Sequence, residues 1–321
     1  MPLLRFIPET TNVDFVKYRF VAFAIDGLLV VVSVISIFWH GFNLGIDFTG
    51  GVLMEVKAPQ VVDVGKMRSD IISLGFNDPV VQTFGGVGCD TPQGSCVMIR
   101  VQPRAAAPGV DPNKAEQASV QAIKNKLGAS YQYRSTEVVG PKVSSELLND
   151  GILATILAVA MISIYVAVRF EWQYGVGALI ATGHDVFVTA GFFSVLQLDF
   201  NINTVASLLL LAGYSINDTV VVFDRIRENR RKYKRMSLPD MINLSTNQIA
   251  TRTTLVSAAT ALSVIPLLFG GAVLLNFSVA ILFGIVVGTF SSTYVAAALL
   301  LYLPAVGGKG SGDVKAEEAT A

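Results

Sequence analysis

Charge is scarce in this 321-residue chain: 24 basic and 24 acidic residues make up 15% of it, against about 25% in an average globular protein. With an apolar fraction of 52% and a mean hydropathy of +0.56, that shortage argues against a freely soluble protein, and so against a nucleic-acid binder, a disordered chain or a cytosolic enzyme. Histidine is limited to His40 and His184, so most hydrolytic mechanisms lack their usual base. Cysteine is limited to Cys89 and Cys96, and no histidine lies in their segment to complete a metal site. No phosphate loop, metal cluster or nucleophile–base pair is visible, so a chemical enzyme is not expected. The net charge of zero carries no information about partners, because in a membrane protein the distribution of charge matters more than its sum.

What the chain has in abundance is long apolar runs. Residues 253–308 are 56 consecutive positions without Asp, Glu, Lys or Arg, broken only by Gly270-Gly271 and Asn276, which is room for two membrane spans of about 20 residues. Six spans are predicted, at 20–39, 151–168, 174–196, 202–223, 251–269 and 275–303. Between residues 225 and 235 stand seven basic side chains and one acid, Glu228, and by the positive-inside rule that stretch is cytoplasmic. Counting outward places the N-terminus (Arg5, Lys17, Arg19), the link at Arg169 and the tail (Lys309, Lys315) on the same side. The first span is read as an uncleaved signal anchor, since its apolar run exceeds a signal peptide's and no small-x-small site follows. The expected organisation is a cytoplasmic N-terminus at 1–19, the first span at 20–39, an external domain at 42–150, five spans within 151–303 with a basic cytoplasmic loop at 224–250, and a disordered tail at 304–321.

The external segment alone has ordinary polar content. It alternates a strand at 52–57, a helix with Val64, Met67, Ile71 and Leu74 on one face, strands at 80–84 and 97–101, a helix at 112–127 with Asp111 as N-cap and Pro112 first, and a strand at 131–139. The order βαββαβ is that of a ferredoxin-like α+β domain. Gly140-Pro141 breaks the last strand, and 144–150 begins a helix continuous with the second span. Cys89 and Cys96 fall in the Gly-rich link between the middle strands, either as a hairpin disulfide in an oxidising compartment or as two reduced residues in a turn.

Ionisable residues inside spans are costly and hence functional candidates. Asp218 lies in the inner half of the fourth span with Tyr214 one turn before it. Arg252 lies near the start of the antiparallel fifth span, at comparable depth if the two helices are neighbours. Such a pair is either a proton-responsive element, its occupancy changing when the partners separate, or a static lock on the bundle; Arg252 alone can also snorkel to the headgroups. His184 and Asp185 are consecutive, point about 100° apart and so form no simple facing pair. Asp185 aligns with Thr182 and Thr189 as a polar stripe, suited to a relay or, more simply, to structural hydrogen bonding. Asp26 is read as water-accessible near the inner boundary. Gly284, Gly288 and Ser292, and Thr253, Ser257 and Thr260, mark helix-packing faces.

Four stretches carry a resemblance: Gly-Ile-Asp-Phe-Thr-Gly-Gly at 45–51, Val-Gly-Pro-Lys-Val at 139–143, His184-Asp185-Val186, and the long run from Gly213 to Asn229. Together they resemble the SecF branch of the SecD/SecF protein-export family, within the resistance-nodulation-division (RND) superfamily. The resemblance implies a polytopic helical protein of the bacterial inner membrane whose large loop is periplasmic, an accessory subunit of the Sec translocase that uses the proton-motive force. It implies SecD, the SecYEG channel, YajC and emerging preprotein as partners, and protons as the coupling ion with no other cofactor. It also assigns proton coupling to Asp218 and Arg252 and makes Asp47, Gly50 and Gly51 a signature turn; His184, Asp185, Tyr214 and Asn217 are read, from their places in the spans alone, as relay or structural support. The Cys-bearing link and the Pro-rich stretch at 102–112 exceed a minimal version of the domain. A half-unit of an RND-type small-molecule or lipid exporter and a passive docking scaffold stay open as alternatives.

Overall fold

The computed structural model describes residues 11–85, 89, 96–102, 112–270 and 272–304. The expected tail, the basic residues Arg5, Lys309 and Lys315, the cap at Asp111 and most of the Pro-rich stretch lie outside the described residues.

In chain order the elements are α1 (Arg19–Trp39), β1 (Asn43–Leu44), α2 (Ile46–Thr49), β2 (Gly51–Lys57), α3 (Val64–Ser73), β3 (Val80–Thr83), β4 (Cys96–Val101), α4 (Pro112–Leu127), β5 (Gln132–Val139), α5 (Pro141–Arg169), α6 (Trp172–Leu196), β6 (Asp199–Phe200), α7 (Ile202–Lys232) and α8 (Leu238–Val264). A 3-10 turn (Ile265–Phe269) extends α8, and α9 (Ala272–Phe290) runs through a π-turn (Ser291–Ala296) into α10 (Ala297–Leu299). Among the described residues six helices are long and apolar enough to cross a membrane.

The helices run past the apolar stretches that reveal them. α5 starts at Pro141, with Gly140 extended before it and the proline in the first turn, where a missing N–H costs nothing. The stretch 224–250 expected as a loop is a helical hairpin: α7 continues to Lys232, Ser237 caps α8 by accepting from the Asp240 N–H, and only 233–237 are non-helical. Hydropathy marks depth in lipid and is silent about helix ends. The basic residues Arg230, Arg231 and Lys232 also suit the negative end of the α7 dipole.

α6 and α7 form the centre of the bundle. Half of each span window is buried, against about a fifth for α1 and less for α5 and α8, and α7 touches α5, α6, α8 and α9. Small residues set the closest approaches. A Cβ on Gly191 of α6 would stand 2.1 Å from Ser33 Oγ on α1, and one on Gly284 of α9 would stand 2.5 Å from Leu211 on α7. Ser36 and Ser194 share a hydrogen bond of 2.9 Å across the α1–α6 contact.

The external domain is a four-stranded antiparallel sheet in the order β3-β4-β2-β5. That is the split βαβ arrangement: β2 and β3 are separated by β4, and α3 and α4 supply the crossovers. β2 alternates buried and half-buried residues along its length. Its inward Val52, Met54 and Val56 pack with Ile71 of α3, Val97 and Ile99 of β4, and Ile123 of α4, each worth about 1.5–3 kcal/mol on full burial.

A second, two-stranded sheet joins this domain to the bundle. β1, just after α1, pairs in parallel with β6, just before α7, matching Asn43 with Asp199 and Leu44 with Phe200. The signature turn lies between β1 and the main sheet, as the one-turn helix α2 followed by Gly50 (φ +74°) and Gly51 (φ +122°). A Cβ at Gly51 would lie 2.2 Å from the Val101 carbonyl oxygen, so both the angle and the neighbouring strand demand glycine.

Candidate functional site

Asp218 sits on α7 and is 3% exposed, and its Oδ2 has no hydrogen-bond partner. Four residues earlier on the same face, Tyr214 turns to α8, donating its hydroxyl to Ser257 Oγ at 2.9 Å; Ser257 in turn contacts Thr289 of α9 at 2.8 Å. The tyrosine therefore anchors a hydroxyl chain across three helices. Asn217, grouped with it from the sequence, is exposed on the outer face of α7 because one residue of helix rotates the side chain about 100° away.

The expected ion pair is not formed. Arg252 and Asp218 are close enough to interact electrostatically, but no ion pair joins them within 4.0 Å. Arg252 is exposed on α8 and lines a cavity of about 580 Å³ at the basic end of the bundle, with Arg169, Asp224, Arg225, Glu228 and Gln248. Val220 and Val221, directly after Thr219 on α7, also line it, so the cavity reaches to within one turn of Asp218. A flexible arginine reaches such a polar space rather than the drier carboxylate, because there its charge stays hydrated. The mouth is braced by Arg225, which bonds Gln248 at 2.7 Å and Glu228 at 2.6 Å, and by Asn229, which bonds Ser245 and Gln248.

Deeper in the bundle, Thr182, Asp185 and Thr189 are all fully buried. His184 and Asp185 do touch, Nδ1 to Oδ1 at 3.1 Å, because both side chains bend toward each other from adjacent positions. Asp26, expected at a wet boundary, is instead 5% exposed and faces His184 from α1. α1 is held along α6 by its serines, and that contact shields the carboxylate.

At the domain end Asp47 and Asn276, both marked in the sequence, meet Arg100, Asp199, Asn201 and Thr204, which are not. Asp47 of the signature turn accepts the Ile202 N–H at 2.9 Å, and Asn201 and Thr204 form a reciprocal capping box. The start of α7 is thus fastened to the turn beneath the external domain. Asp199 receives Arg100 Nη1 from β4 at 2.9 Å; the same guanidinium bonds Asn43 Oδ1 at 2.8 Å and the Leu44 carbonyl at 3.3 Å. Asn276, the polar break in the apolar run, donates to the Asp199 carbonyl. The cap at Asn201 was legible as an Asn preceding an apolar run, whereas nothing local marks Arg100. On the open face of the sheet, burial pushes the Glu55 carboxyl up, with Arg134 opposing and Glu137 adding to the rise. Cys89 and Cys96 are joined in a disulfide with Cα atoms 5.7 Å apart, and Arg134 approaches both sulfurs.

Comparison with known proteins gives a consistent result. Residues 119–305 match the family model of the C-terminal part of the protein export membrane proteins SecD and SecF, and residues 35–58 match the SecD/SecF GG motif. The protein translocase subunit SecF of Rickettsia akari is 38% identical over 305 residues, covering 92% of this chain and 94% of its own. The SecF subunit of Cereibacter sphaeroides is 40% identical over 314 residues, covering 98% and 96%. Among solved structures, SecDF from Thermus thermophilus, described as a translocon-associated membrane protein, superposes with a TM-score of 0.79 at 32% identity over 92% of this chain. SecDF in a super-membrane-facing form superposes with a TM-score of 0.64 at 33% identity over 99%. The chain spans 39% and 41% of the length of those two SecDF chains.

Proposed function

This chain belongs to the SecD/SecF family of protein-export membrane proteins, and from that membership we propose that it is the SecF-type accessory subunit of the Sec translocase, drawing on the proton-motive force to assist preprotein translocation. It is a multi-pass protein of the bacterial inner membrane, and its role is transport rather than chemical conversion. SecD is its partner within the translocase. SecYEG and YajC are the further partners, emerging preprotein is the client, and protons are the coupling ion. The basic ends face the cytoplasm and the βαββαβ domain faces the periplasm, where the Cys89–Cys96 bridge meets an oxidising compartment.

The observation that carries the mechanism is the position of Asp218: a buried carboxylate with an unpartnered oxygen, within a turn of a polar cavity that opens at the basic end. A proton arriving on that carboxylate removes a charge from the bundle interior, and loss of the proton toward the Arg252 cavity restores it. Each charge moved through the membrane potential supplies about 2.3 kcal/mol per 100 mV. Arg252 keeps the released site electrostatically tied to the cavity, and the chain of Tyr214, Ser257 and Thr289 transmits a tilt of α7 to α8 and α9. From Asp218 to the start of α7 at Ile202 is about 24 Å of helix, and that start is bonded to Asp47, with Asp199 and Arg100 beside it. A displacement of α7 therefore reaches the external domain through hydrogen bonds rather than through a flexible linker.

The half-unit exporter reading loses support because curated relatives matched over 94% and 96% of their own length are translocase subunits. The test is gradient-dependent preprotein export into inverted membrane vesicles containing the subunit with SecD. Asp218→Asn and Arg252→Ala are expected to insert and assemble normally while export loses its response to the gradient. Export that keeps the full gradient response in both variants would remove the coupling mechanism.

A further inference from the structure

Asp26, His184 and Asp185 meet where α1 and α6 pack beside α7. Asp26 is 5% exposed, and neither of its carboxylate oxygens has a hydrogen-bond partner. His184 Nε2, also unpartnered, is aimed at it across 3.9 Å. On the other side of the ring Nδ1 contacts Asp185 Oδ1 at 3.1 Å, and Oδ2 of that fully buried carboxylate accepts the Ser215 hydroxyl from α7. One imidazole therefore stands between two buried carboxylates contributed by different helices.

The charge balance of this group limits its states. With both carboxylates ionised and the ring neutral, two uncompensated negative charges would lie inside the bundle, which a low-dielectric interior penalises heavily. One bound proton halves that charge and a second cancels it, so the group holds protons by construction. Among the described residues, the charged side chains acting on Asp26 are His184 and Asp185, and those acting on His184 are the two aspartates. α7 presents Ser215, with Asp218 a turn further on. α9 presents Gly288, where a Cβ would lie 3.4 Å from both Asp185 Oδ2 and Ser215 Cβ. α1 and α6 otherwise present Ser33, Thr182 and Thr189.

We propose that Asp26, His184 and Asp185 form a second proton-binding site, separate from Asp218, in which the His184 ring passes a proton between the two carboxylates. The transfer is balanced within the group. Asp26 in its acid form gives its O–H proton to Nε2 while Nδ1 releases its proton to Asp185; the ring ends neutral with its N–H on the opposite nitrogen, and the total charge is unchanged. The 3.9 Å gap is about 1 Å longer than a hydrogen bond, so transfer waits on a closer approach of α1 to α6. Arrival of the proton on Asp185 changes what Ser215 donates to, and Ser215 precedes Asp218 by three residues on the same helix face. The functional consequence rests on the proton coupling proposed above, whereas the existence of the site does not.

His40 and His184 are the only histidines, so ¹⁵N-histidine labelling of the full chain, assembled with SecD in lipid, gives two ring systems, and His40→Gln leaves one. The His184 nitrogens are expected to change protonation pattern with pH, and Asp26→Asn to move the midpoint at least tenfold in proton concentration. A ring that keeps one tautomer at every pH, unaffected by Asp26→Asn, would overturn the proposal and leave a static hydrogen bond to Asp185. Should Asp26→Asn fail to assemble, infrared difference spectra across pH are compared between wild type and His184→Gln. Loss of a pH-dependent buried carboxylic-acid band in the variant supports the site, and identical spectra overturn it. Neither measurement reads export, so an Asp218→Asn variant that still exports would sink the coupling function without touching this result.

Discussion

Arg100→Ala tests whether the external domain is mechanically tied to the bundle. The guanidinium makes three hydrogen bonds, to Asp199, Asn43 and Leu44, and the ion-paired side chains are only 12% and 16% exposed. Truncating one partner of a fully buried pair costs about 3–5 kcal/mol, because it strands the other charge. Here residual water access and the remaining Asn43–Asp199 bond of 2.8 Å lower the expectation to about 2–4 kcal/mol. The reporter is local: the β1–β6 ladder lies directly against the pair, and the Gly45 N–H is bonded to the Phe200 carbonyl at 2.8 Å. Hydrogen exchange at Gly45 and Phe200 should therefore accelerate roughly 30- to 700-fold, while the β2–β4 ladder inside the domain is unchanged. A double-mutant cycle with Asp199→Ala isolates the pair, and its coupling should exceed about 1 kcal/mol. Strict additivity of the two substitutions, or unaltered exchange at Gly45, would refute the idea that this contact carries force between the domain and α7.

Other substitutions probe neighbouring parts of the same argument. Gly51→Ala combines a forbidden backbone angle with a Cβ that would lie 2.2 Å from the Val101 carbonyl oxygen, so a loss of about 2–6 kcal/mol is expected in denaturation of the domain. Gly128→Ala, with positive φ but nothing within 4 Å, should cost only about 1–2 kcal/mol, and equal losses would contradict the strand-clash explanation. Replacing Cys89 and Cys96 with serine opens a short loop and should lower domain stability by roughly 2.5 kcal/mol in a chain-entropy account, read as a thermal shift under non-reducing conditions. Glu55 is held toward its acid form by burial, so its contribution to stability is present below the ordinary glutamate range and lost as pH rises through its folded value. Glu55→Gln should accordingly be more stable than wild type at neutral pH and indistinguishable from it in acid, and the opposite trend in melting temperature would reverse the sign of the argument.

Much of this protein is legible locally. The six spans follow from runs of apolar residues that have no other stable environment, and the βαββαβ order follows from switches between two-residue and three-to-four-residue periodicity around residues 52–139. The strand expected at 52–57 and the helix from Pro112 to Leu127 appear in the structure as read. The scarcity of charge inside the spans was enough to single out Asp218 and the adjacent pair His184-Asp185, since they interrupt otherwise apolar stretches. The helix leading into the second span, expected from 144, begins at Pro141, whereas the helical hairpin across 224–250 was expected as a loop, because polar helical turns outside the lipid leave no hydropathy signal.

What the linear chain could not decide is which of those polar groups meet. Whether Asp218 pairs with Arg252 depends on side-chain direction and on a cavity that offers the guanidinium water, and these arise only when α5, α7 and α8 are packed. The partnership of Asp26 with His184, about 160 residues apart in sequence, depends on α1 lying along α6 through Ser33, Gly191, Ser36 and Ser194. Arg100 and Asp199 look like an ordinary strand residue and an ordinary loop residue until β1 and β6 pair and bring the sheet onto the bundle. Hydrophobicity and periodicity are properties of neighbours along the chain, whereas charge pairing and proton sharing act over a few ångströms in space, and only the assembled bundle sets those distances.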